Sequence, residues 1–87
     1  MLKEYLNKPV IVDTKSDYIY LGQLEQENSD YLVLKDVDVH DHSISKISKE
    51  LYIIEAAKYG IKANRKRVRL MCKDVISLSL LEDIIQF

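Results

Sequence analysis

Between Val10 and Val39 apolar and polar residues alternate in three runs separated by short polar breaks, the pattern of half-buried strands. The runs are Pro9 to Thr14, Tyr18 to Glu25 and Asp30 to Val39, and the breaks are Lys15-Ser-Asp17 and Gln26-Glu-Asn-Ser29. Breaks this short join antiparallel neighbours, so the stretch predicts a meander. A three-stranded sheet needs cover. The flanking sequence offers a helix in front and further strands behind, and the expectation is a small closed β-barrel.

Met1 to Asn7 carries Leu2, Tyr5 and Leu6 at the spacing of one apolar helical stripe, which predicts a short N-terminal helix. Pro9 has no N–H to donate, so the chain should leave the helix near Asn7 and enter the first strand at its edge. Gly22 interrupts a β-favouring run where a residue without Cβ suits a sharp bend or bulge. Leu32 and Leu34 share one face of the third run while Tyr31 and Val33 share the other, so both faces call for cover.

After the polar connection His40 to Lys46, Ile47 to Tyr59 reads as a second helix, with Leu51, Ile54 and Ala57 or Lys58 at helical spacing and Ser45 or Ser48 as its cap. Gly60 fits the end of that helix. Arg65 to Met71 alternates basic with apolar residues as a strand, and Val75 to Leu80 forms a last strand after the break at Lys73-Asp74. The prediction is a mainly β single domain spanning 1–87, with five strands and two helices.

Composition narrows the setting. With 87 residues the chain buries only about two thirds of its unfolded surface, so oligomerisation would help its stability. A formal charge of -1 excludes a wholly basic nucleic-acid protein and leaves room for a locally basic face. Cys72 is the single cysteine, in an apolar run, and reads as a packing residue in a reducing cytoplasm. No apolar run approaches the roughly 18 residues of a membrane span, so a soluble cytoplasmic protein is expected.

The residues resemble the Sm and Sm-like (Lsm, Hfq) family. The first motif corresponds to Leu6 to Val12, then Gly22-Gln-Leu24, then Tyr31 to Asp36; the second corresponds to Leu70 to Ser77. The resemblance implies an SH3-type, bent five-stranded antiparallel barrel behind an N-terminal helix. Residues from about 41 to 64 stand where the family has a variable, often short loop, which points to a bacterial branch carrying an inserted helix. In the family, barrels close into rings by pairing the fourth strand of one copy with the fifth of the next, and single-stranded RNA lies at the pore. By position, Asn28, Ser29 and Asp30 match the loop residues of the nucleotide pocket and Lys73 the basic residue of the last turn. Asp30 and Asp74 depart from the pattern, because a carboxylate neither stacks on a base nor attracts phosphate.

Independently of the resemblance, Lys58, Lys62, Arg65, Lys66, Arg67, Arg69 and Lys73 place seven cations within sixteen residues, with no acid among them. A row of phosphates suits such a run, and Tyr52 or Tyr59 could stack a base. The competing reading is a solvated strand edge, or a surface between copies met by Asp36, Asp38 and Asp41 of a neighbour. Asp38, His40 and His42 are weak candidates for a cation site, with a solvated strand end the better reading. No phosphate loop, nucleophile elbow or triad is present, so no catalysis and no cofactor are expected.

The expectation is a homo-oligomeric ring that binds single-stranded RNA without chemistry through Asn28, Ser29, Asp30, Arg65, Lys66, Arg67, Arg69 and Lys73. The alternatives are a ring-forming scaffold whose inserted helix recruits a protein partner, and a monomeric SH3-like adaptor.

Overall fold

The computed structural model describes residues 3–85. Five strands, β1 (Pro9–Thr14), β2 (Tyr18–Glu27), β3 (Tyr31–Asp41), β4 (Arg65–Met71) and β5 (Val75–Leu80), form one antiparallel sheet in the order β4-β3-β2-β1-β5. One α-helix, α1 (Lys49–Tyr59), lies between β3 and β4, and short 3-10 turns occupy His42–Ile44, Cys72–Asp74 and Leu81–Asp83. The expected closed barrel is not closed by hydrogen bonds, because β4 and β5 are the two borders of the sheet and do not pair with each other.

Both faces of the sheet are covered, as the apolar residues of β3 require. Val10, Val12, Leu24, Leu32, Leu34, Val37 and Leu70 form one core, with Tyr5, Leu6, Val68 and Leu78 among the half-buried residues packed on it. Ile11, Ile19, Leu21 and Ala56 form a second core on the other face, beneath Tyr52, Ile53, Ile61, Leu81 and Ile84. Each of these aliphatic side chains contributes about 1.5–3 kcal/mol on burial, so the strands hold most of the stability. Ala56 is the one buried residue of α1, and half-buried Tyr52 and Ile53 pack beside it on the second core. Ser48 caps the helix by accepting from Leu51 N–H, and Lys49 Nζ donates to Asp13 Oδ1 at 2.8 Å.

The N-terminal helix is not formed by its described residues. Residues 3–7 are turns, with Leu6 N donating to Lys3 O and Lys8 N to Tyr5 O. Met1 and Leu2 lie outside the described residues. A seven-residue segment cannot offset the cost of helix nucleation alone, and β2 captures its backbone instead. Asn7 takes a left-handed φ of 63° and donates to Leu24 O at 2.7 Å, while Leu24 N donates to Lys8 O. Pro9 stands where the chain enters β1, as expected. It is the first residue of β1, an interior strand, and its pairing with β5 begins only at Val10.

One local irregularity sets the direction of every side chain in the distal half of β3. Leu21 pairs with Asp38 and Gln23 with Lys35, so β3 advances three residues while β2 advances two. Asp36 absorbs the extra residue as a bulge at φ 52°. Gly22 stands opposite, where an added Cβ would lie 3.1 Å from Lys35 O and 3.2 Å from Val37 Cγ2. The bulge inverts the facing of the strand. Leu32 and Leu34 point into the first core before it, Val37 and Val39 after it, and Asp38 turns to the side covered by α1. Unbroken alternation would place Asp36, Asp38 and His40 on one face; the bulge separates Asp36 from the other two.

Candidate nucleic-acid interface

The loop and turn singled out by position meet at one end of the sheet. Cys72 N donates to Asp30 O at 2.9 Å, and Cys72 Sγ lies 3.6 Å from Asn28 O. Asn28 Oδ1 accepts from the backbone N–H groups of Asp30 and Tyr31 at 2.8 and 2.9 Å, which closes the β2–β3 turn. Its amide oxygen is thereby committed to the fold. Ser29, Asp30, Lys73 and Asp74 are exposed around it. Cys72 is a half-buried free thiol packed against the first core.

The basic strand is less free than its sequence implies. Arg67 forms a two-pronged pair with Glu25, Nε to Oε1 at 2.7 Å and the second nitrogen to Oε2 at 3.1 Å. The Arg67 hydrogen bond holds the Glu25 carboxyl below its ordinary value, and Glu25 raises Arg67 in return. Arg69 lies over the Tyr31 ring at 4.3 Å, and Arg65 donates to Asn64 O. Lys66 and Lys73 have no side-chain partner among the described residues.

Register divides seven of the eight residues between two places, with Arg67, opposite Lys35, between them. Met71 pairs with Tyr31 and Arg65 with Val37, so the ends of β4 lie about 20 Å apart at roughly 3.3 Å per residue. Asn28, Ser29, Asp30, Arg69 and Lys73 gather near one end. Arg65 and Lys66 sit at the other, beside the bulge, where they line a shallow cleft with Asp36 and Asn64.

At that second end the inverted facing of β3 builds a polar cluster that sequence reasoning missed. Asp38 is only 7% exposed and accepts from the Tyr52 hydroxyl and from Asn64 Nδ2. Burial, reinforced by the hydrogen bond to Asp38 and its charge, raises the Tyr52 phenol well above its ordinary value, so it stays protonated and donates. His40 stacks on the Tyr52 ring at 3.8 Å. Asn64 also brackets Val39, accepting from its N–H at 3.0 Å and donating to its carbonyl at 3.1 Å.

The weak cation candidates are accordingly engaged in other contacts. Asp38 is taken by Tyr52 and Asn64, His40 lies flat on Tyr52, and His42 belongs to a turn capped by Asp41. No group of three His, Cys, Asp or Glu suited to a metal occurs among the described residues. Asp38 is likewise withdrawn from the acidic surface suggested for a neighbouring copy, which leaves Asp36 and Asp41. Asp38 is buried under α1, and Asp41 Oδ1 accepts from Ser43 N and Oγ.

Among solved structures, the chain is similar to a Pyrococcus abyssii Sm protein in complex with a uridine heptamer, at TM-score 0.62 and 16% identity over 91% of this chain and 90% of that one. It is similarly close to a chain of the NatC complex bound to Gag peptide and CoA, at TM-score 0.61 and 17% identity over 92% of this chain and 90% of that one. A chain of the NatC complex bound to CoA matches at TM-score 0.61 and 16% identity, over 92% of this chain and 83% of that one. No protein-family model and no curated protein matches the sequence. The fold is therefore Sm-like. No helix among the described residues is long and apolar enough to cross a membrane.

Proposed function

We propose that this chain assembles with copies of itself into a closed ring and binds single-stranded RNA without catalysis. The observation that carries the reading is the sheet order, which leaves β4 and β5 as two unpaired borders of one curved sheet. Unpaired borders invite another strand, and a heterologous contact between them closes into a ring when the rotation permits. Met71 on one border strand and Ile76 on the other are exposed apolar residues that such pairing would cover. The apposed loops Asn28 to Asp30 and Cys72 to Asp74 would repeat around that ring, and Lys66 and Lys73 supply free cations for phosphate. The similarity to an Sm protein in complex with a uridine heptamer supports RNA as the ligand.

Light scattering at micromolar concentration should give the mass of several copies, and a uridine heptamer titrated at two salt concentrations should bind more weakly at higher salt. A monomeric mass removes the ring; absence of binding to any RNA removes the ligand.

A scaffold that recruits a protein partner is the second reading. It is favoured by Ile44, 80% exposed, together with Ile47 and Leu51 at the start of α1. The occurrence of the fold in a chain of the NatC complex fits that reading as well.

A further inference from the structure

Between α1 and the distal half of β3 lies a cavity of about 290 Å³, lined by Asp38, Ile47, Tyr52, Glu55, Tyr59 and Lys62 among others. Tyr52, Glu55, Ala56 and Tyr59 recur at i, i+3, i+4 and i+7, so one face of α1 presents two phenol rings with a carboxylate between them. We infer that this cavity binds a single guanine base of RNA, with Tyr59 stacking the base, Glu55 reading its edge and Lys62 placed for the adjoining phosphate. The inference rests on the proposal of RNA binding and gives it a base preference.

Size sets the first limit. The cavity, at about 290 Å³, falls just below the roughly 300–1,000 Å³ typical of small-ligand sites, which suits nothing larger than one base. Tyr59 is 73% exposed, an aromatic surface left in water beside the opening, whereas one face of Tyr52 is already covered by His40. Stacking on such a ring accepts any base, so the choice must come from polar groups.

Apart from Lys62, the charged groups in the wall are the carboxylates Glu55 and Asp38. An ionised carboxylate only accepts hydrogen bonds, and Glu55 is exposed, whereas Asp38 beneath is already satisfied by Tyr52 and Asn64. Guanine offers two adjacent donors, N1–H and the 2-amino group, which fit the two oxygens of one carboxylate. Uracil offers one N–H flanked by two carbonyls that a carboxylate repels. Adenine and cytosine place a ring acceptor beside their amino group.

A cationic ligand, such as an arginine or methylated lysine side chain, also suits carboxylates and phenols. Lys62 in the wall opposes it. The same Lys62, with Arg65 and Lys66 three and four residues on, favours a neutral base attached to a phosphate chain.

The test titrates the whole protein with a uridine heptamer and with the same heptamer carrying guanine or inosine at its centre. The guanine heptamer should bind at least about tenfold more tightly than the all-uridine one, and inosine, which lacks the 2-amino group, should fall between. Glu55→Gln should erase the guanine preference, and Tyr59→Ala should reduce binding of the guanine heptamer about tenfold. Both side chains are exposed, so the variants should fold. Equal affinity of the guanine and uridine heptamers overturns the pocket while leaving the RNA reading intact. If no heptamer binds, guanosine monophosphate followed by the ring resonances of Tyr52 and Tyr59 decides the matter. A saturable shift that Glu55→Gln removes upholds the pocket without the RNA reading; no shift, or shifts caused only by an arginine-rich peptide, rejects it.

Discussion

Replacing Gly22 by alanine tests the bulge on which the α1 side of the molecule depends. The new methyl group would sit 3.1 Å from Lys35 O, 3.2 Å from Val37 Cγ2 and 3.3 Å from Val37 Cα. Two of these three atoms are backbone, and Val37 is fully buried in the first core, so no flexible side chain can swing away. Forcing a methyl group into such packing costs about 1–3 kcal/mol. Against this, alanine restricts the unfolded chain and returns about 0.4–1 kcal/mol. Central values of about 2 and about 0.7 kcal/mol leave a destabilisation of about 1.3 kcal/mol, or a fall in Tm of roughly 5–10 °C for a domain of this size. Urea and thermal unfolding at one fixed protein concentration measure it, because assembly makes apparent stability depend on concentration. If β3 relieves the contact by backing away from β2, Asp38 moves with it and the Tyr52 phenol should ionise at lower pH than in the parent protein. A Gly22→Ala protein as stable as the parent would refute the claim that the bulge forbids a side chain there.

The same geometry has other measurable consequences. Tyr52→Phe leaves the buried Asp38 carboxylate with Asn64 alone and should cost about 1–3 kcal/mol in urea unfolding. Because the Tyr52 phenol is raised above its ordinary value of 10.0 in the folded state, its contribution is complete below that pH and is lost as pH rises above it. Stability should therefore fall in alkali, and less steeply in Tyr52→Phe. Ile76 is 63% exposed beside β5, so Ile76→Glu should lower the mass seen by light scattering without altering the far-ultraviolet spectrum; an unchanged mass would place the contact between copies elsewhere. If RNA lies along the free cations, Lys66→Ala or Lys73→Ala should each lower the salt slope by about 0.7. Arg67→Ala should lower it less, since that charge is already matched by Glu25.

Where one periodicity ran uninterrupted, the chain was legible. β1, β4 and β5 occupy the residues expected of them, and α1 begins at the second of the two serines offered as caps. β2 and β3 each run two residues past their expected C-terminal ends, because pairing with a neighbour extends a strand beyond its own pattern. The segment before Pro9 carried a helical stripe in sequence, yet its backbone hydrogen bonds were worth more to β2 than to a helix of seven residues.

The candidate interface was legible only as far as alternation could be counted along an unbroken strand. Counting from Leu32 in steps of two sends Asp38 and His40 into the first core, where a carboxylate would be stranded. The extra residue at Asp36 reverses that outcome and delivers both side chains to α1. Gly22 did announce a bulge, but on β2, whereas the added residue lies opposite on β3 and glycine is what makes room for it. Asn64 carried no signal at all, since bracketing Val39 with both ends of its amide depends on a partner 25 residues away. The basic run misled for the reverse reason. Its charges are plain in sequence, but Glu25 and Tyr31, which engage two of its arginines, are brought beside it only by pairing across the sheet. What separates the committed cations from the free ones is thus pairing across β2, β3 and β4, and any ligand for this face meets the charges that this pairing leaves free.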